Sequence, residues 1–204
     1  MRIVVFLSIL FLGACTIDNP NIPEKYKNTK SDTLNVGYMY WWSGGPFTGQ
    51  CGFEYSIALT GIITKIYKPK EAYMFDGDTL YIPQKGVIEI NDIYMAVNTE
   101  KEKYIGQKYI SSDCFWGEKL EESDKVIVFM YAYEGLNCIP SNSIIKIEDY
   151  RDPIVFSTIK YIKNGYDPLS IIQDTTIWSK YKLDDDLKRI IDCKIKGITS
   201  NNID

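Results

Sequence analysis

The sequence predicts a mainly β fold, a small Greek-key barrel with helices at its C-terminal end. Three observations carry this expectation. Short runs rich in β-branched and aromatic residues recur between Tyr55 and Glu148, separated by Gly, Pro, Asn and Asp. One of them, 56–66, carries Gly61 in mid-run, the mark of a bulge or sharp bend such as a small barrel needs. Beyond Asp152 the apolar spacing changes to a helical period.

The elements follow in order. Residues 35–50 read NVGYMYWWSGGPFTGQ, a strand with rings on both faces that Ser43-Gly44-Gly45-Pro46 breaks. The run 56–66 is the first strong strand. Tyr73-Met74-Phe75 and Thr79-Leu80-Tyr81-Ile82 flank Asp76-Gly77-Asp78, a hairpin signal. Strands are expected at 86–96, at 104–111 and at 143–148, with the most apolar one, KVIVFMYAY at 125–133, in the centre. Asp152-Pro153 sets a capping carboxylate before a proline at the first helical position. Val155, Ile159 and Ile162 then share a face, and Asn164-Gly165 stops the helix, predicting 153–163. A second helix is expected from Leu183 to about Ile195, with Gly197 ending it.

The N-terminal end has another character. Met1-Arg2 precedes an apolar run from Ile3 to Leu12, followed by Gly13-Ala14-Cys15. A positive tip, a short apolar stretch and small residues before a cut make a secretory signal. With a cysteine at the cut, it resembles the bacterial lipoprotein signal. That resemblance implies that residues 1–14 are removed, that Cys15 carries a diacylglycerol thioether, and that the protein is held in the cell envelope. Thr16 after the lipidated cysteine, in place of Asp, favours the outer membrane where one exists; the face occupied is not readable. The run is too short to span a bilayer, which takes about 20 residues. Each buried methylene contributes about 0.8 kcal/mol, so two or three acyl chains anchor firmly. Residues 15–34 form the lipidated cysteine and a polar, Pro-broken tether. As a coil such a tether holds its domain about 25 Å from the membrane. The barrel domain with its packing helix is expected over 35–165, and a helical extension over 166–204.

Composition excludes several chemistries. The net charge is −4, and loss of the signal, with Arg2 and no acid, takes it to −5. Such a balance supplies no pull toward a phosphate backbone, so no nucleic-acid partner is expected. The chain has no histidine. Ser-His-Asp and Cys-His nucleophile systems, His general bases and His-ligated catalytic zinc are therefore excluded. Of five cysteines, lipidation of Cys15 leaves Cys51, Cys114, Cys138 and Cys193. In an oxidising compartment these predict two disulfides with three possible connectivities. No pair has the close spacing of a zinc site, and neither a metal nor a cofactor is expected.

The order of cysteines and strands carries a second resemblance. Cys51 precedes the strand with Thr60-Gly61-Ile62-Ile63. Cys114, in Ser112-Asp113-Cys114-Phe115-Trp116-Gly117, precedes 125–133, and Cys138-Ile139-Pro140 follows it before the helix at 153–163. This resembles netrin-like modules, the OB-fold group that includes tissue inhibitors of metalloproteinases. The resemblance covers 50–165 and implies an OB-like, disulfide-stapled barrel with a Cys51–Cys114 bridge, leaving Cys138–Cys193. Phe115 and Trp116 separate Cys114 from Gly117, and a customary second cysteine near Cys51 is missing. Inhibitory members chelate a protease metal through the free amine of a first cysteine. Cys51 lies inside the chain and Cys15 is expected to be acylated, so that route is not expected here.

The candidate binding residues are Tyr38, Tyr40, Trp41, Trp42 and Phe47, whose rings suit sugar faces or partner side chains; the alternative is that they pack over one barrel end. Asp76-Gly77-Asp78 lacks the oxygen-ligand run of a calcium loop and reads as a turn. Glu121, Glu122 and Asp124 read as a solvated turn, and Asp184, Asp185 and Asp186 as a helix's first turn. No residue is assigned a catalytic role. The expected function is non-enzymatic: an envelope lipoprotein presenting its barrel to a protein partner. The alternative is glycan binding through the 38–47 aromatics, and a carboxylate-based hydrolase ranks last.

Overall fold

The strong β-run containing Gly61 is the strand around which the barrel closes. The computed structural model describes residues 32–39, 45–47, 51, 57–75, 77–94, 104, 106–115, 119–133 and 136–200. The segment expected to be a lipoprotein signal, Cys15, most of the expected tether, Tyr40, Trp41 and Trp42 lie outside them. The strands are β1 (Thr33–Met39), β2 (Ile57–Ile66), β3 (Tyr73–Phe75), β4 (Asp78–Tyr81), β5 (Gly86–Tyr94), β6 (Tyr109–Ser112), β7 (Lys125–Tyr133), β8 (Leu136–Pro140) and β9 (Ile144–Ile147). Helix α1 (Pro153–Lys163), a 3-10 segment (Pro168–Asp174), α2 (Thr175–Ser179) and α3 (Asp184–Ser200) follow.

The sheet runs β2-β5-β6-β1-β8-β7-β9, and a further β2–β7 pairing closes its first six strands into a barrel, with β9 antiparallel to β7. β5 is antiparallel to β2 and β6, and β7 to β2 and β8. β1 is parallel to both neighbours: Thr33–Val36 pair with β6, and Gly37–Met39 with β8. An OB barrel is five-stranded and partly open. Here β2, β5, β6, β7 and β8 supply those five strands, and β1 fills the gap between the third and the fifth. The barrel therefore begins at Thr33, just before the boundary expected at 35.

Gly61 makes the closure possible. The β2–β5 register shifts between Thr60 and Gly61. A Cβ at Gly61 would lie 2.4 Å from the Glu89 carbonyl oxygen and 2.5 Å from Ile88 Cγ2. Only glycine lets the two strands approach so closely at the bulge.

β7 sits between two cores, which explains its unbroken apolar sequence. Val126, Val128 and Met130 face the barrel interior with Ile57, Leu59, Ile63, Ile88 and Ile110. Ile127, Phe129 and Tyr131 face the helices, against Ile154, Val155, Trp178, Leu187 and Ile190. A side-chain period of two thus serves two buried layers at once.

Helix α1 has the bounds expected from sequence. Asp152 caps it through the Ile154 amide at 3.2 Å, with Pro153 in the first turn. The 3-10 segment repeats the device: the Asp167 carboxylate accepts from the Leu169 amide, and Pro168 follows. α3 runs through Gly197 to Ser200, beyond the stop expected there; a glycine weakens a helix interior by only about 1 kcal/mol, too little to end it alone.

The disulfide framework differs from the expected one. Cys51 bonds Cys193, with Cα atoms 5.3 Å apart and a separation of 142 residues. Arg189, one helical turn before Cys193, donates to the Phe47 carbonyl, so α3 holds Phe47 as well as Cys51. Cys114 and Cys138 are buried thiols outside the bridge, so neither Cys51–Cys114 nor Cys138–Cys193 forms. Cys114 Sγ accepts the Ser112 hydroxyl at 3.1 Å, and burial raises the Cys138 pKa, keeping that thiol protonated.

Candidate functional site

Phe47, one of the predicted binding rings, is a core residue. It is fully buried, edge-on to Trp178 at 4.7 Å and to Tyr161 at 6.0 Å between centroids. The Tyr131 hydroxyl donates to the Pro46 carbonyl at 3.0 Å, fixing the segment from below. Trp178 donates from Nε1 to Ser157 Oγ, which donates to Asp174. These bonds satisfy the Trp178 indole N–H and the Ser157 hydroxyl beside the ring stack. Tyr38 lies on β1 opposite Ile139. The alternative in which the 38–47 rings pack over the barrel therefore holds for Phe47.

The exposed aromatic surface lies elsewhere. β3 and β4 form a separate two-stranded hairpin inserted between β2 and β5. In an OB barrel this is the loop between the first two strands, one of the loops that such barrels use for binding. Tyr73, Met74 and Phe75 are 56%, 57% and 74% exposed, and Tyr67 at the root is 47% exposed. Neighbouring residues of a strand point to opposite faces, so both faces of β3 are open. Gly77, with φ +85°, makes the turn expected at Asp76-Gly77-Asp78.

The root of the hairpin is anchored tightly. The Tyr67 amide donates to the Lys85 carbonyl and the Lys70 amide to the Pro83 carbonyl, both at 2.8 Å. The Gln84 side chain donates to the Tyr67 carbonyl at 3.1 Å. Gln84 also bridges to Cys114, and its carbonyl accepts from the Phe115 amide. Phe115 is buried against Gly86, where a Cβ would sit 2.5 Å from the ring. The stem is thus hydrogen-bonded to the barrel while its tip exposes more than half of Tyr73, Met74 and Phe75. An isolated two-stranded hairpin is marginal in water, so the stem bonds hold this one in place.

Two clefts flank the root, of about 490 Å³ and 290 Å³, and Asp113 lines both. Lys70 and Glu71 border the first, Lys85 and Ser111 the second. The Lys85 ammonium lies 6.0 Å from the Tyr67 ring centroid, a cation–π distance. Asp113 Oδ1 is enclosed and accepts no hydrogen bond among the described residues.

No family model, curated protein or solved structure matches this chain. The site's chemistry must therefore be read from its own residues.

Glu122, Asp124 and Asp184 to Asp186, among the acids singled out in the sequence, have structural roles. Glu122 accepts from the Ile66 amide at 3.0 Å and pairs with Lys65 at 3.3 Å; the amide bond first, then the lysine, hold its carboxyl below the usual range. Asp124 accepts from the Glu121 amide and pairs with Lys146 at 2.6 Å. Asp184 and Asp185 pair with Lys188, and Asp186 with Arg189, in the first turn of α3. Among the described residues no group of three metal-ligating side chains converges, and no helix is long and apolar enough to cross a membrane.

Sequence reasoning missed the hairpin as a site because it weighed aromatic density over position. The discriminating signal was the order of elements. Tyr73-Met74-Phe75 falls between two barrel strands that already pair with each other, so no third layer remains to cover it.

Proposed function

We propose that this chain is a lipid-anchored envelope protein that docks a protein partner through the β3–β4 hairpin. The observation that carries this reading is the exposure of Tyr73, Met74 and Phe75 on a stem hydrogen-bonded to the barrel. Tyr, Met and Phe are enriched in protein interfaces, and pre-organised contact residues lose little entropy on binding. Cys15 supplies the attachment, on the strength of its lipoprotein-type signal. A Cys51–Cys193 bridge suits the oxidising compartment to which such a signal leads. The proposed role is non-enzymatic: Glu122, Asp124 and the three acids in the first turn of α3 are held in turns and ion pairs.

The test places a photo-reactive side chain at position 75 of the full lipidated chain in cells. A second variant of the full chain carries it at position 156, where Phe156 is also 58% exposed but lies on α1. A discrete protein adduct at 75, absent at 156 and lost on adding Met74→Ser, is expected. Identical adducts at both positions, or lipid adducts alone, overturn the docking role. Labelled palmitate should enter the wild-type product and not a Cys15→Ser variant; equal labelling overturns the anchoring.

A further inference from the structure

We propose that the cleft between β9 and the α2–α3 turn binds a phosphate ester, a site separate from the hairpin. The cleft has a volume of about 520 Å³ and is lined by Lys119, Lys146, Lys180 and Lys182. No carboxylate lines it, although the protein as a whole carries a net charge of −4. Leu120, Ile144 and Leu183 supply an apolar floor.

The four ammonium groups are not equivalent. Lys146 pairs with Asp124 at 2.6 Å, and Lys180 with Glu148 at 2.9 Å and Asp152 at 3.7 Å. Lys119 and Lys182 have no ion-pair partner among the described residues. Each paired lysine faces two carboxylates, Lys146 those of Asp124 and Glu121 and Lys180 those of Glu148 and Asp152. The charge match therefore rests on Lys119 and Lys182, whose two cations suit an anion of about two charges, the charge of a phosphate monoester near neutral pH. Lysine binds phosphate as a point charge, whereas planar carboxylate recognition favours the arginine fork; the cleft contains no arginine.

Lys182 is held at the cleft by a helix cap. The Lys182 amide donates to the Ser179 carbonyl and the Leu183 amide to the Trp178 carbonyl, so α2 ends in a Schellman motif. Lys182 occupies its left-handed position, with φ +59°. The same motif ends α1, where the Gly165 amide donates to Ile162 and the Tyr166 amide to Tyr161, and there glycine takes that position with φ +65°. Ser123, Asn142 and Tyr166 share this backbone state; what places Lys182 at the cleft is that its cap, like Asn142, lines it.

The experiment titrates the full chain with inorganic pyrophosphate by calorimetry. A saturable one-site isotherm that weakens as salt rises is expected. Lys182→Gly relieves the backbone, so its unfolding midpoint should hold or rise while pyrophosphate affinity falls. Lys119→Gln should lower affinity independently, the pair together by about tenfold. Lys163→Gln, at the end of α1 away from the cleft, should leave binding unchanged. A second arm compares a soluble phosphate monoester with dioctanoyl phosphatidic acid. Tighter binding of the lipid assigns the ester to a lipid headgroup, and equal binding to a soluble one; either supports the site. Absence of a saturable isotherm, unchanged affinity in both cleft variants, or equal binding of citrate overturns the proposal.

Discussion

Residues 126–131 of β7 and residues 73–75 of β3 are both continuous apolar runs, yet the first is buried on both faces and the second is exposed on both. Composition does not separate them. β7 lies where the barrel wall meets a helical layer, so the inward set, Val126, Val128 and Met130, and the outward set, Ile127, Phe129 and Tyr131, each find a partner surface. β3 pairs only with β4, outside the barrel sheet. Burial follows from the number of layers available to a strand, and an apolar strand with none is a candidate for covering by another molecule.

The sharpest way to break this comparison is to truncate one ring on each side. Phe129→Ala removes a fully buried side chain from the helix-facing core and should cost about 3–5 kcal/mol, read as a lower urea midpoint. A loss under about 1 kcal/mol would mean that the helical layer is not a true core. Reduction of Cys51–Cys193 should come next. The bridge joins the segment beneath the helices to α3 across 142 residues, and opening it should cost about 2–5 kcal/mol in denaturation with and without reductant. Mass mapping should recover Cys114 and Cys138 as thiols; a Cys51–Cys114 peptide would restore the netrin-like pairing.

A smaller effect concerns Asp124, the residue that leads into β7. Burial alone would raise its carboxyl, but hydrogen bonds from the Lys146 ammonium and the Glu121 amide outweigh burial and hold it below the usual carboxylate range. A carboxylate depressed in the folded state contributes stability that is fully present above its unfolded pKa, near 3.9, and is lost as the pH falls through the folded value. Asp124→Asn should therefore flatten the acid limb of stability below about pH 4, while variants of the hairpin leave that limb unchanged. The smallest effect is expected at the hairpin itself. Phe75→Ser should shift stability by no more than about 0.5 kcal/mol in either direction, because the ring is 74% exposed. A larger loss would show that the tip packs against this chain and not against a partner.

Several elements were legible from local chemistry alone. KVIVFMYAY predicts β7 with its observed ends, Asp152-Pro153 and Asn164-Gly165 predict α1, and Gly61 predicts the bulge. β8 was missed because Pro140 and a length of five residues masked it; it survives by pairing with β7 on one side and β1 on the other. The 3-10 segment was missed although Asp167-Pro168 repeats the signal that marked α1. For Phe47 the sequence left exposure and packing open, because its burial depends on Trp178 and Tyr161, more than a hundred residues away.

The sequence by itself determined the period of each element, its caps and its breakers, since these depend on residues within a few positions of one another. It also determined the absence of histidine chemistry. Tertiary structure alone decided which cysteine meets Cys51, which rings are covered, and which lysines gather around one cleft. Those outcomes depend on pairs of surfaces brought together by barrel closure and by the docking of α3, and no local pattern encodes the distance between them.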